Sequence, residues 1–417
     1  MKKGWYILKS AREVSAEILS AVLDGGAYSN VVLLRVLQGS GLDRAQKAFV
    51  TQVVKGSIRS LFSLDKILAE ISSVPLAKMK PFVRAVLRVS VYQMQYMEEP
   101  VFAVVNDAVQ LIKRRGYGRL AGFVNAVLRK AANLQELPAP SYPDWLMEHF
   151  YSELGEEATS ALIAANMAEP KVSLCVNTQK TDTYKLKQML EAEGVRVYSS
   201  HLENALEIAG SGDISRLKTY KDGYFHVMDI SSMLAVIMAD IQPGHRVLDI
   251  CAAPGGKSYF AAYLQPSASI EARDIHMHKV KLLEKGAMRL GLNLAVKAHD
   301  ATILDESLIS ALDVVLVDAP CSGLGVIRKK PEIVYFKSEK DLRSLVGLQR
   351  QILDTAQKYV SSDGILLYST CTLNYAENMG NIEWFLQQYD YRLLEHRQIL
   401  PQDFGSDGFF MAKLKRN

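Results

Sequence analysis

The stretch VLDICAAPGGKS, Val247 to Ser258, decides the fold of the C-terminal half of this 417-residue chain. An apolar, strand-like run leads into a Pro-Gly-Gly turn, and that turn opens a helix. Gly255 and Gly256 allow the backbone to come close to a ligand, and the first amides of the helix attract partial negative charge. The stretch therefore predicts a strand, turn and helix that bind a ligand at the turn.

Around this unit, strands and helices alternate from about Asp229 to the C-terminus. This order, with nearly continuous apolar strands, is typical of an α/β Rossmann-like domain with a doubly wound parallel sheet. Three successive strands end in an aspartate, namely Asp274, Asp300 and Asp318. One strand-end aspartate often only caps a helix, but three at the ligand-binding edge of one sheet indicate a site.

The chemistry of the ligand follows from what the turn contains and lacks. Asp274 lies nineteen residues after Gly255 and can bind the two hydroxyls of a ribose. The turn has neither the G-x-G-x-x-G spacing of dinucleotide sites nor a Walker A lysine. We therefore expect an adenosine-containing ligand without a pyrophosphate, with S-adenosylmethionine as the cofactor.

The first third of the chain is basic and helical. It carries 20 Lys and Arg against 9 Asp and Glu up to Lys130, whereas the whole chain has a net charge of +4. Apolar residues recur at helical spacing from Ala11 to about Leu134, which predicts an all-α bundle, and Asn106 is expected to cap one helix. The basic balance favours a nucleic acid partner, the alternative being a solvated basic surface. A phosphate backbone would suit one cluster in particular: Lys113, Arg114, Arg115 and Arg119.

The length predicts more than one domain. Three prolines between Leu137 and Pro143 indicate a linker, and beyond it strand, helix, strand and strand follow in a small α+β, RRM-like module. We expect a helical domain over 1–136, the small module over 137–225 and the Rossmann-like domain over 226–417. The charged N-terminus does not fit a signal peptide, and no apolar run is long enough to span a membrane, so a cytoplasmic protein is predicted.

Four cysteines lie far apart, without a C-x-x-C pair, so neither a metal site nor a disulfide framework is predicted. Cys321 and Cys371 each follow an apolar strand, in DVVLVDAPCSGLG and GILLYSTCTLN. Such cysteines are often buried small hydrophobes. Two beside one cofactor edge also suit methylation at carbon 5 of a pyrimidine, in which a thiolate first adds to carbon 6. Their placement alone ranks neither as the nucleophile.

Several motifs together resemble the RNA cytosine carbon-5 methyltransferases. These are VLDICAAPGGKS, VDAPCSGLGVIRKKPEI, LLYSTCTLNYAEN, DISSML and the terminal DGFFMAKLKR. The helical first third, with AFVTQVVKGSIRSLFSLDKIL, RAVLRVSVYQMQYM, VVNDAVQLIKRRG and FVNAVLRK, resembles the NusB antitermination fold. The resemblance covers nearly the whole chain. It implies methylation of a specific cytosine in 16S ribosomal RNA of the small subunit, by a monomer that needs no metal or membrane.

The resemblance also implies roles for the site residues. Cys371 would be the nucleophile that forms the adduct with carbon 6, and Cys321 would assist release of the product. Asp274 would hold the ribose, Asp300 the adenine end, and Asp318 would lie near both cofactor and base. The methionine part of the cofactor would be wrapped by Cys251, Ala252, Ala253, Pro254, Gly255, Gly256 and Lys257. Lys257 would also orient the base or the Asp318 carboxylate.

Other positions depart from the family pattern or carry two interpretations. Met228, Cys175 and Met379 stand where the family usually has Gln, Arg and Glu. A basic triplet follows Cys321 and would either contact phosphates near the target or form a solvated turn: Arg328, Lys329 and Lys330.

The residues alone do not exclude two other classes of function. An RNA-binding assembly factor with a vestigial catalytic domain would explain the basic module but not the intact aspartates and cysteines. A DNA cytosine methyltransferase would use Cys321 as its nucleophile, but it would leave Cys371 and the helical module without a role.

Overall fold

The computed structural model describes residues 9–134, 136–209 and 212–417. Residues 1–8, which belong to the segment compared with a signal peptide, lie outside the described part. The chain forms two compact units. One contains the chain up to Ala168 together with Ile327–Phe336, and the other contains Glu169–Val326 and Lys337–Asn417.

The first unit is helical, and its first seven helices bury their apolar stripes in one core. Asp43 caps its third helix by accepting from the Gln46 amide, and Pro81 occupies the first turn of the fifth. Its helices up to Ala168 are α1 (Ala11–Leu23), α2 (Ser29–Gln38), α3 (Arg44–Arg59), α4 (Leu61–Ile71), α5 (Pro81–Tyr96), α6 (Val101–Arg114), α7 (Ala121–Ala132), α8 (Asp144–Leu154) and α9 (Glu156–Met167).

The start of α6 corrects one expectation. Asn106 lies inside this helix, which begins at Val101 after Pro100. The β-branched run before Asn106 disfavours a helix on its own, but burial of Val104 and Val105 in the core outweighs that preference.

The second unit carries two sheets. Its elements follow in chain order, with α15 belonging to the first unit: β1 (Val172–Val176), α10 (Thr183–Ala192), β2 (Arg196–Ser199), β3 (Ala205–Ala209), α11 (Lys218–Lys221), β4 (Phe225–Val227), α12 (Ile230–Ala239), β5 (Arg246–Asp249), α13 (Gly256–Leu264), β6 (Ser269–Asp274), α14 (Met277–Leu290), β7 (Ala295–Ala298), β8 (Leu312–Asp318), α15 (Ile333–Phe336), α16 (Glu339–Tyr359), β9 (Val360–Thr370), α17 (Met379–Gln388), β10 (Tyr391–Ile399), α18 (Pro401–Phe404) and β11 (Phe409–Arg416).

The small sheet is antiparallel in the order β2-β3-β1-β4, which together with α10 and α11 makes a ferredoxin-like βαββαβ module. This confirms the expected small α+β module. It shares a compact unit with the larger sheet, and Asn177 ties the two by donating to the carbonyls of Gly223 and Leu290, both at 2.9 Å.

The large sheet has the order β10-β11-β9-β8-β5-β6-β7. Successive residues of β8 alternate between two cores, Val314 and Leu316 in one and Val315 and Val317 in the other, so both faces are covered. The Rossmann-like fold is therefore confirmed. The strands from β9 to β7 are parallel as predicted, whereas β11 departs from the expected parallel sheet by pairing antiparallel with both β9 and β10. The short connection from β10 to β11 cannot make the crossover that parallel pairing requires.

Residues 327–336 belong to the helical unit although they follow β8 in sequence. Glu332 is fully buried there and accepts from the amide of Ser29 at 2.8 Å and from its hydroxyl at 2.9 Å. Lys55 donates to the Ser29 hydroxyl at 2.8 Å and to the carbonyl of Lys329 at 3.0 Å. Burial lowers the pKa of Lys55 to about 8.

Candidate active site

The Pro-Gly-Gly turn joins β5 to α13 as the sequence predicts. Gly255 has φ +107°, and a Cβ there would lie 2.3 Å from the Tyr259 ring, so only glycine fits. Tyr259 in turn donates to the carbonyl of Pro254 at 3.1 Å and fixes the turn. No described side chain caps the start of α13, which suits binding of a ligand carboxylate by its amides.

The strand-end aspartates stand at the carboxyl edge of the parallel strands. Asp274 ends β6 and accepts from the His276 amide at 2.9 Å, whereas Asp300 follows β7 and accepts from the amide and hydroxyl of Thr302. Those Thr302 hydrogen bonds lower the pKa of Asp300. Each carboxylate therefore shapes its own loop, and as an acceptor it is of the kind that fits the hydroxyls or amino group of an adenosine.

Below the turn, Asp249 is fully buried and accepts from the Ser258 hydroxyl at 2.7 Å. Burial raises its pKa to about 7. The neighbouring Cys251 thiol also has its pKa raised, mainly by burial and next by Asp249. Cys251 therefore stays a thiol and acts here as a packed small residue rather than as a nucleophile.

At the end of β8, Asp318 forms an ion pair with Lys257, whose Nζ lies 2.7 Å from Oδ2. The Ser369 hydroxyl donates to Oδ1 at 3.1 Å. The Lys257 side chain is 7% exposed and the Asp318 side chain 37%. The lysine thus orients a carboxylate that remains accessible to a ligand, one of the two roles expected for it.

The two cysteine loops meet. Sγ of Cys321 lies 3.3 Å from Sγ of Cys371, within hydrogen-bond distance for sulfur. The contact with Cys371, followed by burial, raises the pKa of the Cys321 thiol well above its usual value. The raised pKa favours the protonated thiol of Cys321, and either sulfur can be the donor in the contact.

Sequence reasoning missed a buried polar cluster behind these loops. It centres on Glu377, which is fully buried and accepts from the Ser322 amide, the Gln349 side chain and the Asn374 side chain. The available signal was the Glu377-Asn378 pair shortly after Cys371, which we compared with the family only as a motif.

The residues expected to contact RNA are placed unequally. Lys113, Arg114 and Arg119 are exposed on the helical unit. Arg114 and Arg115 both pair with Glu13, at 3.8 Å and 2.8 Å, and Arg115 also pairs with Glu17. In the segment after Cys321, Arg328 is buried, Lys329 half-buried and Lys330 exposed, so only Lys330 presents a charge freely to solvent in this triplet.

Neither a membrane-spanning helix nor a metal-holding cluster occurs among the described residues. No helix among them has both the length and the apolar character needed to cross a bilayer. No group of three or more His, Cys, Asp or Glu side chains among them is arranged to hold a metal ion.

Comparison with known proteins agrees with this geometry. Residues 236–415 match the family 16S rRNA methyltransferase RsmB/F, residues 9–133 the NusB family, and residues 142–215 the RsmF/B-like ferredoxin-like domain. The probable ribosomal RNA small subunit methyltransferase B of Bacillus subtilis is 34% identical, covering 98% of this chain and 99% of the relative. The corresponding protein of Proteus mirabilis is 29% identical over 97% and 98% of the two chains.

Solved structures show the same fold. PH0851 superposes with a TM-score of 0.83 at 26% identity, covering 98% of this chain and 99% of that one. NSun6 from Pyrococcus horikoshii, solved with SFG, has a TM-score of 0.61 at 22% identity and covers 66% of this chain and 98% of its own.

Fold, site and comparisons together define an S-adenosylmethionine-dependent methyltransferase. The resemblance noted in the sequence is confirmed over nearly the full length. The chain belongs to the 16S rRNA methyltransferase RsmB/F family.

Proposed function

We propose that the chain methylates carbon 5 of one cytosine in 16S ribosomal RNA through a covalent bond between Cys371 and carbon 6 of the base. The observation that carries this proposal is the 3.3 Å separation of the Cys321 and Cys371 sulfurs, at the same sheet edge as Asp318. The names of the relatives support small-subunit ribosomal RNA as the substrate.

Carbon 5 of cytosine is a poor nucleophile. Addition of the Cys371 thiolate to carbon 6 makes the ring enamine-like, so that carbon 5 becomes a nucleophile and can attack an electrophilic methyl group. S-adenosylmethionine supplies that methyl group when bound. Loss of the proton from carbon 5 to a base then restores the double bond and expels Cys371 as a thiolate.

The state of Cys321 supports its role in release. Because its pKa is raised, Cys321 is an S–H donor at neutral pH, and its nearest sulfur is that of Cys371. Such a donor stabilises the negative charge that develops on the departing sulfur. The two cysteines therefore suit the roles that the resemblance implies, with Cys371 as the nucleophile and Cys321 assisting release of the product.

Base recognition would fall to Asp318. A carboxylate accepts from the exocyclic amino group of cytosine, whereas uracil presents an acceptor at that position. The Lys257 ammonium fixes the direction of the carboxylate. The pair would thus favour cytosine over uracil.

The base must leave any helical stack before a thiolate can reach its ring face. The exposed cations Lys113, Arg114, Arg119 and Lys330 would contact phosphates of the flanking RNA. These contacts hold the RNA without reading its sequence.

The experiment compares three cysteine variants on unmethylated 16S RNA with S-adenosylmethionine, reading 5-methylcytosine by bisulfite sequencing and covalent RNA adducts on denaturing gels. Cys371→Ala should give neither product nor adduct, and Cys321→Ala should accumulate the adduct. Cys175→Ala, which removes a buried thiol from β1, is the matched control and should turn over normally. Full activity of Cys371→Ala would refute the proposal. If an adduct forms in Cys371→Ala but not in Cys321→Ala, then Cys321 is the nucleophile and Cys371 is the residue that assists release.

A further inference from the structure

The buried carboxylate of Glu377 is surrounded by hydrogen-bond donors. The Ser322 amide donates to Oε2 at 2.9 Å, and the Gln349 amide group donates to the same oxygen at 2.8 Å. The Asn374 amide group donates to Oε1 at 3.0 Å. A carboxylate only accepts, so its bonding capacity matches these neutral partners.

The donors to Glu377 hold the backbone around Cys321. Ser322 follows the cysteine, and the carbonyl of Pro320, which precedes it, accepts from Nε2 of Gln349 at 3.0 Å. The Gln349 amide is fixed in turn, because Asn381 donates to its Oε1 at 2.8 Å. Glu377 and Gln349 therefore clamp the peptide groups on both sides of Cys321.

The same cluster reaches the loop of Cys371. Asn374 lies three residues after this cysteine, and the hydroxyls of Ser322 and Thr372 lie 2.6 Å apart. The Gly325 amide also donates to the carbonyl of Cys371 at 3.0 Å. The two loops are thus joined by side-chain and backbone hydrogen bonds.

The two cysteines depend on this cluster to different degrees. Cys371 directly follows β9, whose last residue Thr370 is still paired with Phe410 of β11. Cys321 stands three residues beyond the end of β8, outside the strand ladder. Loss of the cluster should therefore displace Cys321 more than Cys371.

We propose that Glu377, acting with Gln349, is a positioning residue that sets the Cys321 thiol against Cys371 for release of the methylated RNA. The inference rests on the proposed function and adds a residue to it. Glu377 acts only through the loops, since its carboxylate is fully buried.

The test uses the full-length enzyme and separates release from attack. Glu377→Gln keeps an acceptor for Ser322 and Gln349 but turns an amide group toward that of Asn374, so two donors face each other. The double variant Glu377→Gln with Asn374→Asp restores an acceptor there. Glu383→Gln, which changes an exposed carboxylate on α17, is the matched control.

Methyl transfer in a single turnover and decay of the covalent adduct are measured separately, together with thermal unfolding. Glu377→Gln should transfer the first methyl group at nearly the normal rate, while its adduct decays about tenfold more slowly, equivalent to about 1.4 kcal/mol in the barrier. The double variant should restore decay, and Glu383→Gln should match the unaltered enzyme.

The inference is overturned if transfer and decay slow equally, if the adduct decays normally, or if the double variant does not restore decay. It is also overturned if Glu377→Gln fails to fold while the folded double variant releases slowly. The cysteine variants separate this failure from a wider one. Product formation by Cys371→Ala rejects the proposed function itself, whereas inactive Cys371→Ala with normal release in Glu377→Gln rejects only the positioning role.

Discussion

Lys257 holds Asp318 through a 2.7 Å ion pair in which the lysine is buried and the aspartate reaches solvent. The lysine is the second residue of α13, just after the Pro-Gly-Gly turn, and the aspartate ends β8. One contact thus connects the segment proposed to bind the cofactor to the carboxylate proposed to recognise the base.

Replacing Lys257 by Met should therefore lower kcat/KM for RNA by at least about tenfold, because Asp318 loses the cation that orients it. Lys340→Met, at an exposed position on α16, is the control and should leave the rate unchanged. Methyl incorporation from labelled cofactor gives the values. An unaltered rate in Lys257→Met would show that the pair has no catalytic role.

Asp249 should make stability depend on pH. Its pKa rises from 3.8 in the unfolded chain to about 7 in the folded one, because burial disfavours the charge. The folded chain thus holds a proton that the unfolded chain loses, and this contribution, complete below pH 4, disappears as the pH rises through 7. At pH 7.5, Asp249→Asn should have a free energy of unfolding about 2 to 4 kcal/mol higher than the unaltered chain, and it should therefore unfold at a higher temperature. The two should converge at pH 4, and parallel unfolding curves would contradict the assignment.

Gly255→Ala should weaken cofactor binding and destabilise the turn. Alanine at φ +107° is strained, and its Cβ would collide with the Tyr259 ring, which together cost about 1 to 3 kcal/mol. Gly347→Ala is a matched control, since its Cβ meets open space on α16 and should stabilise that helix by about 1 kcal/mol. Calorimetric titration with S-adenosylmethionine measures the cofactor affinity of both variants. Equal affinities would show that the turn tolerates a side chain.

The exposed cations of the helical unit should govern the salt dependence of RNA binding. Lys113→Ala and Arg119→Ala should each remove one phosphate contact, so the slope of log affinity against log salt should fall in magnitude by about one for each variant. Arg343→Ala removes an equally exposed arginine from α16, where it pairs with Glu339, and should leave the slope unchanged. Filter binding at several salt concentrations gives the slopes. Identical slopes for all variants would place the RNA elsewhere.

Glu332 should contribute strongly to the stability of the helical unit. Glu332→Gln replaces one of the acceptors for Ser29 by a donor and should cost about 1 to 3 kcal/mol. Glu70→Gln, at an exposed position on α4, should change stability by less than about 0.5 kcal/mol. Urea unfolding measures both. Equal midpoints would mean that the buried carboxylate is dispensable.

Local patterns in the sequence were sufficient for most helices and strands and for the Pro-Gly-Gly turn, but not for the start of α6. Apolar periodicity follows directly from which face is buried, and the Gly255 turn follows from backbone geometry. The reversed direction of β11 was not predictable in this way, because it depends on pairing with β9, whose residues are distant in sequence.

Part of the candidate site was also predictable from the sequence. The strand-end aspartates and both cysteines were found because a strand points its last residue at a known edge of the sheet. The Glu377 cluster was missed because Gln349, Asn374 and Ser322 approach one another only after folding, and a polar residue in sequence does not reveal that it will be buried.

Residues 327–336 have a consequence for synthesis of the protein. The helical unit needs Glu332 for Ser29 and takes Tyr335 and Phe336 into its packing, so a ribosome that has completed Ala168 has not yet made every part of it. N-terminal domains usually fold as units while the chain is still emerging. A fragment ending at Ala168 would therefore leave Ser29 without its Glu332 acceptor and would uncover the part of the core against which Tyr335 and Phe336 pack.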